Sequence, residues 1–280
     1  MSNIKLLLCT DLDRTLIPNG EQQEHSEARK RFTDFCHCPE VSLVYVTGRH
    51  QELVKQAIND YGLPVPDYAI TDVGTKIYKI SDGQWQEIGA WEKEIDKAWN
   101  GNNHQQLMAI LSEVSQVYIQ EPSKQNTHKL SYYLSLQADK DTVILAMEKL
   151  LKKENIAASL IWSIDEQSEI GLLDVLPRNA TKLHAIEFLQ QALNYSLKEV
   201  IFAGDSGNDL PVLGSSIPAV LVGNASADIK QTAQHLAEQN GHSQALYIAN
   251  GSALAMNGNY AAGILEGVWH FAPQFRNKLL

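Results

Sequence analysis

Two aspartates, Asp11 and Asp13, stand one residue apart in CTDLDRTL (9–16), where the apolar run IKLLL ends. Ionised carboxylates are expensive to bury without partners, so two of them at the mouth of a strand call for a reason. Three further segments carry comparable groups. TGR (47–49) supplies Thr47, Gly48 and Arg49; Lys182 follows Pro177-Arg178-Asn179; and GDSGND (204–209) supplies Asp205, Ser206, Asn208 and Asp209. Singly, each has a bland reading as a turn, a helix cap or a solvated surface lysine. Together they pose one electrostatic problem. Asp11, Asp205 and Asp209 would repel one another unless a hard cation sat among them, and an all-oxygen donor set points to Mg2+. A lysine and a threonine hydroxyl then suit an incoming phosphate.

The elements that must bring these groups together are legible as alternating runs. IKLLLCT (4–10), VSLVYVT (41–47), YAIT (68–71), EVIFAGD (199–205) and PAVLVG (218–223) read as buried strands. Helical spacing marks 26–36, 51–61, 180–193, 226–238 and AAGILEGVWHF (261–271). Continuous apolar strands separated by helices imply a parallel sheet covered on both faces. Ligands bind at the carboxyl ends of such strands, and that is where the polar segments fall. From Lys76 to Leu173 the pattern changes: KIYKI, WQEIG, SQVYIQ, HKLSYYLSL, ASLIWSI and GLLDVLP read as strands, with helices near 103–116 and 140–153. This predicts an inserted antiparallel sheet with helices on one face. The expected fold is therefore α/β, a Rossmann-like core of residues 1–80 and 174–280 interrupted by an α+β insert at 81–173. The stretch NGSALAMNGNY (250–260) reads as a mobile loop.

The formal charge of −10 argues against nucleic acid or an anionic membrane as partner, while leaving room for a locally positive site that binds a small anion. No secretion signal is expected, because Lys5 precedes only LLLC before the acidic pair, and no window reaches the length of a membrane span. Three cysteines, Cys9, Cys36 and Cys38, suit a reducing, cytoplasmic setting. CHCP (36–39) lacks a second pair of ligands, so a solvated loop is expected there rather than zinc.

DLDRTL, TGR, Lys182 and GDSGND, in this order, resemble the four motifs of the haloacid dehalogenase (HAD) superfamily of phosphohydrolases, over nearly the whole chain. The insert resembles a C2-type cap. TDVGTKIY (71–78), HKLSYYL (128–134) and AAGILEGVWHF look closest to sucrose-phosphate phosphatases. Arg14 is a departure, since many members carry Gly or Asn there, and no effect on the chemistry is expected from it. The resemblance implies an aspartyl-phosphate route with Asp11 as nucleophile and Asp13 as the acid and base, which asks for an Asp13 pKa raised toward neutrality. Thr47, Gly48 and Lys182 would hold the phosphate. Mg2+ would sit on Asp11, the Asp13 backbone carbonyl and Asp205, with Asp209 acting through water and Ser206 and Asn208 orienting the shell.

On the substrate side, Arg49 could reach a substrate oxygen or pair with a carboxylate at the seam between the domains. Strand alternation puts Lys129, Ser131 and Tyr133 on one face of the insert and His128 on the other. Lys129 is the leading sugar contact, joined by Tyr133 and Asn179. His128 is expected to be an exposed, functionally bland strand residue, and Trp162 could stack on a sugar. The implied activity is hydrolysis of a sugar phosphate, sucrose 6-phosphate first, with the cap closing over the sugar. The rivals are a phosphatase of another glycosyl phosphate, a phosphomannomutase, and a sugar-phosphate-binding regulator without catalysis. A monomer is expected, and a synthase is a conceivable partner.

Overall fold

Leu6–Thr10 is buried at all five positions, as is Val200–Gly204, and the two pair in parallel with Leu7 opposite Val200 and Thr10 opposite Ala203. In a computed structural model describing residues 4–165 and 168–280, these are strands β1 and β10 of an eight-stranded sheet. Its other members are β2 (Val41–Val46), β3 (Tyr68–Thr71), β4 (Lys76–Ser81), β5 (Gln84–Glu87), β11 (Ala219–Leu221) and β12 (Leu246–Ile248). The order is β12, β11, β10, β1, β2, β3, β4, β5, parallel from β12 to β3 and antiparallel beyond. Leu6, Leu8, Leu43 and Tyr45 pack in one cluster with the helices Ala28–Cys36 and Ala261–Phe271. Leu7, Val44 and Phe202, which point the other way, are also fully buried. A sheet covered on both faces is why these strands read as unbroken apolar runs.

The chain divides into two compact units: one runs to Glu87 and resumes at Lys182, and the other is Ile88–Thr181. The sequence-based cuts at 80/81 and 173/174 fall several residues earlier. WQEIG, placed in the insert by those cuts, belongs to the core sheet with KIYKI instead. β4 pairs with β3 (Ile77 opposite Ile70), β5 folds back on it through Asp82 and Gly83, and the Tyr78 and Trp85 rings meet edge-on at 5.6 Å. A local hairpin looks the same in sequence whichever sheet it extends.

The inserted unit holds β6 (Val117–Ile119), β7 (Leu130–Leu134), β8 (Ala158–Asp165) and β9 (Ile170–Pro177) in the antiparallel order β6, β7, β9, β8. Leu130, Leu134, Leu173 and Val175 cluster with Leu107, Met147 and Leu151 from the helices His104–Ile110 and Lys140–Lys153. Alternation leaves Ser131, Tyr133 and Asp174 on the other face, with Ser131 opposite Asp174.

Residues 250–260 are not the loose loop their Gly and Asn content suggested. Glu266, buried in the helix Ala261–Phe271, accepts hydrogen bonds from the backbone N–H groups of Asn250 (3.2 Å) and Gly251 (2.9 Å) and from the Tyr247 (2.7 Å) and Ser252 (3.3 Å) hydroxyls. Gly263 admits the loop: a Cβ there would lie 2.3 Å from the Gly258 carbonyl oxygen. Among the described residues no helix is long and apolar enough to cross a membrane.

Candidate active site

Register does the first part of the assembly. The Asp11 N–H donates to the Ala203 carbonyl at 2.9 Å, continuing the β1–β10 ladder, so Asp11 stands beside the turn that opens with Asp205. Thr47 follows β2, the neighbour of β1 on the opposite side. Lys182 opens the helix Lys182–Ala192. The result brings four segments to one end of the sheet, with Asp11 and Asp209 lying 198 residues apart in the chain.

One carboxylate oxygen from each of Asp11, Asp205 and Asp209 lies within 4.8 Å of the others, and all three residues are buried. Among the described residues this is the one cluster of potential metal ligands found. Lys182, itself 3% exposed, places Nζ 2.8 Å from Asp209 Oδ1 and 3.1 Å from Asp11 Oδ2. Burial raises the Asp11 pKa to about 7; Lys182 opposes the rise and Asp209 adds to it. Burial and the Asp209 charge likewise raise Asp205 to about 6. For Lys182, burial disfavours the ammonium, but Asp11 and Asp209 outweigh it and hold the pKa above the ordinary lysine value.

The three carboxylates are not equivalent. Asp209 Oδ2 accepts hydrogen bonds from the backbone N–H groups of Asp205 (3.0 Å) and Ser206 (3.1 Å), and from Ser206 Oγ (3.2 Å), while Lys182 takes Oδ1. Gly204 makes room for it, since a Cβ there would lie 2.6 Å from Asp209 Cγ. Ser206 Oγ and Lys182 Nζ also donate to Asn208 Oδ1, at 2.9 and 3.3 Å. Asp205 Oδ1 accepts from Thr15 Oγ1 at 3.0 Å, and Asp11 Oδ1 from the Leu12 N–H at 2.8 Å. An all-oxygen set in which Asp11 and Asp205 line the cavity fits a hard divalent cation. Asp209 is committed inward, as a post for the turn.

Asp13 stands differently from expectation. Arg49 grips it in fork geometry, Nε donating to Oδ2 at 2.8 Å and Nη2 to Oδ1 at 2.6 Å, and Asn19 Nδ2 adds a bond to Oδ1 at 2.8 Å. Burial alone would raise its pKa, but the Arg49 hydrogen bonds and charge win and lower it. The expected rise toward neutrality is therefore corrected: a bidentate guanidinium stabilises the carboxylate more than partial burial penalises it. Arg49 pairs with a carboxylate inside the core.

Thr47 is buried beside them, its Oγ1 accepting from the Arg49 N–H at 3.2 Å. The segment Thr47–Arg49 rests on a turn in which Asp72 (φ 51°), Val73 (φ 59°) and Gly74 (φ 99°) are all left-handed. The Asp72 N–H donates to the Arg49 carbonyl and the Val73 N–H to that of Thr47, at 3.0 and 3.2 Å. A β-branched residue in that region is strained, and strain of this kind persists where the surroundings over-determine it. Asp11, Asp13, Arg14, Thr47, Arg49 and Asp205 line a cavity of about 340 Å3 with Gly48, Ser206 and Asn208. Sequence reasoning gave no role to Thr15, Asn19 or Asn224. Asn19 had a faint signal, an Asn in the turn after a DxD pair.

In the inserted unit, Lys129 Nζ lies 3.7 Å from Asp174 Oδ2, Ser131 Oγ donates to Asp174 Oδ1 at 2.5 Å, and Tyr133 OH to Glu121 Oε2 at 2.7 Å. Asn179 Nδ2 donates to the Glu94 carbonyl at 3.1 Å. His128 is buried, not exposed: it precedes β7, with Nε2 3.1 Å from Asp96 Oδ1 and its ring 5.6 Å from Trp99. Trp162 packs against the helix-side cluster and over Gly171, which sets it in the unit's core packing.

A family model for sucrose-6F-phosphate phosphohydrolase matches residues 4–272. The chain belongs to that family. It is a HAD-superfamily phosphoric monoester hydrolase whose substrate class is sugar phosphates. A protein of Nitrosococcus oceani named only as a HAD-like hydrolase is 47% identical over 97% of this chain and 73% of its own. The mannosylfructose-phosphate phosphatase of Agrobacterium fabrum is 28% identical over 95% of this chain and 96% of its own. The sucrose-phosphatase of Synechocystis sp. PCC6803, solved with sucrose and phosphate, superposes with a TM-score of 0.70 at 29% identity, covering 95% of this chain and 98% of that one.

Proposed function

We propose that this family member hydrolyses sucrose 6-phosphate, with Mg2+ bound, through a phosphoryl group carried on Asp11. The convergence of Asp11, Asp205 and Lys182 in one buried cluster carries the reading. An Asp11 carboxylate oxygen attacks phosphorus as the bond from phosphorus to the sugar oxygen breaks, and the Asp13 carboxyl proton passes to that oxygen. Asp13 then takes a proton from water, whose oxygen attacks the same phosphorus. The bond to Asp11 breaks and inorganic phosphate leaves. Thr47 and the Gly48 N–H orient the phosphoryl oxygens, and Lys182 favours the ionised form of Asp11, opposing the penalty of burial, while offsetting the charge of the phosphate.

Asp11, Asp205 and the Asp13 carbonyl would hold Mg2+, with Asp209 acting through water and bracing the turn. Bound there, the ion supplies positive charge to the phosphoryl oxygens. Lys129, Tyr133 and Asn179 are the proposed sugar contacts. Cytoplasmic action as a monomer alongside a sugar-phosphate synthase completes the proposal; a stretch of the glucosylglycerol-phosphate synthase of Pseudomonas anguilliseptica, 27% of that protein, is 26% identical to this chain.

Phosphate release from sucrose, trehalose, mannosyl and hexose phosphates tests the substrate. Sucrose 6-phosphate is expected to give the highest kcat/KM, and a higher value for a mannosyl phosphate would transfer the assignment to the mannosylfructose type. For the chemistry, Asp11→Asn is expected to lower release at least about 1,000-fold, as loss of a nucleophile does. Near wild-type turnover in that variant would end the covalent scheme.

A further inference from the structure

Each carboxylate of the site is matched by a cation. Lys182 serves Asp11 and Asp209, Arg49 serves Asp13, and Arg14 serves Asp205, with Nε 3.5 Å from Oδ2. Arg14 is the loosest of these contacts, and its side chain is 51% exposed. Its backbone is held firmly all the same. With φ at 58° it occupies the left-handed region, which is costly for a residue bearing Cβ. Its N–H donates to Asn19 Oδ1 at 2.8 Å, and its carbonyl accepts from Asn224 Nδ2 at 2.6 Å. Asn224 is fixed in turn, its Oδ1 accepting the Tyr260 N–H at 2.9 Å.

These bonds clamp the peptide groups on either side and make no use of the side chain. Glycine or asparagine would satisfy the same clamp with less strain. The arginine is therefore explained by what its guanidinium does. That group lies on the cavity wall, opposite the Asp205 oxygen that Thr15 leaves open. A divalent cation held on that oxygen would compete with the guanidinium for it.

We infer that Arg14 is a displaceable counterion of Asp205 that weakens the site's grip on its divalent cation. The inference rests on the Mg2+ reading above. In the resting site the guanidinium offsets part of the Asp205 charge, and a cation entering the pocket must outcompete it. The contact is long and half-exposed, so it yields without unfolding anything, and the left-handed clamp keeps the arginine close enough to return. Arg14 thus sets the Mg2+ concentration at which the site fills.

The test is calorimetric titration of the whole protein with MgCl2 alone, without substrate, for wild type, Arg14→Asn and Arg14→Lys. Removing a full charge near the ligand is expected to tighten Kd about fivefold to tenfold in Arg14→Asn, while Arg14→Lys stays within about twofold of wild type. The gap between wild type and Arg14→Asn should shrink as KCl is raised, because a half-exposed guanidinium is screened. Asparagine tolerates the left-handed region, so the variant is expected to fold, and Arg14→Lys controls for loss of packing. An unchanged or weaker Kd in Arg14→Asn, with wild type binding, overturns the role of Arg14 alone. No heat of binding from any of the three overturns both this inference and the Mg2+ reading.

Discussion

Asp13 is a poor proton donor while Arg49 holds it as a carboxylate. The fork of two hydrogen bonds at 2.8 and 2.6 Å pulls its pKa down, so the protonated form is scarce at neutral pH in the resting site. Arg49→Met removes the donors that stabilise the charge, and the Asp13 pKa rises. The alkaline limb of the kcat/KM profile is then expected to move to higher pH, whatever happens to its height; a limb that stays put would detach Asp13 from the leaving-group proton. Asp11 and Asp205 behave oppositely. Their pKa values of about 7 and about 6 lie above those of the unfolded chain, so without metal each contributes stability at low pH that is lost as pH rises toward those values. A cation needs them ionised, so protons compete with it over the same window. The rise in Tm on adding Mg2+ is expected to grow between about pH 5 and about pH 8, and a constant increment would show that these carboxylates do not hold the ion. That Asp11 and Asp205 would meet was legible because parallel pairing of their strands brings the strand ends together. The Arg49–Asp13 pairing was not, because it depends on side-chain direction between segments 36 residues apart.

Elements failed to read correctly where tertiary partners decided them. β4 and β5 form a local hairpin, and nothing local tells which sheet they extend. In 250–260, Gly and Asn promised a loose segment, but the deciding residue is Glu266 on the next helix. Its carboxylate takes four donors from Tyr247, Asn250, Gly251 and Ser252. The consequence reaches the site, because Tyr260 at the end of that loop orients Asn224, which holds the Arg14 carbonyl. Glu266→Ala leaves two partly buried N–H groups and two hydroxyls without their carboxylate acceptor and is expected to cost about 3 kcal/mol, visible as a lower urea midpoint. Glu266→Gln restores only part, since its NH2 faces donors. An unchanged midpoint in Glu266→Ala would mean water replaces the carboxylate freely.

At the scale of the whole molecule, one hydrophobic cluster has every residue in the core unit, and another, anchored by Trp99, Leu130, Met147 and Leu173, lies in the insert. The Asp11–Asp205–Asp209 cluster and its cations belong wholly to the core. Damage to the insert's packing should therefore leave the chemistry of metal capture intact. Met147 is fully buried between the helix Lys140–Lys153 and the sheet of β6 to β9. Met147→Ala opens a cavity worth about 2 to 5 kcal/mol against the inserted unit. Hydrogen exchange is expected to quicken in β7 and β9 while β1 and β10 keep their protection, with the Mg2+ Kd unchanged. Equal loss of protection in both sheets would show that the two units fold as one cooperative body.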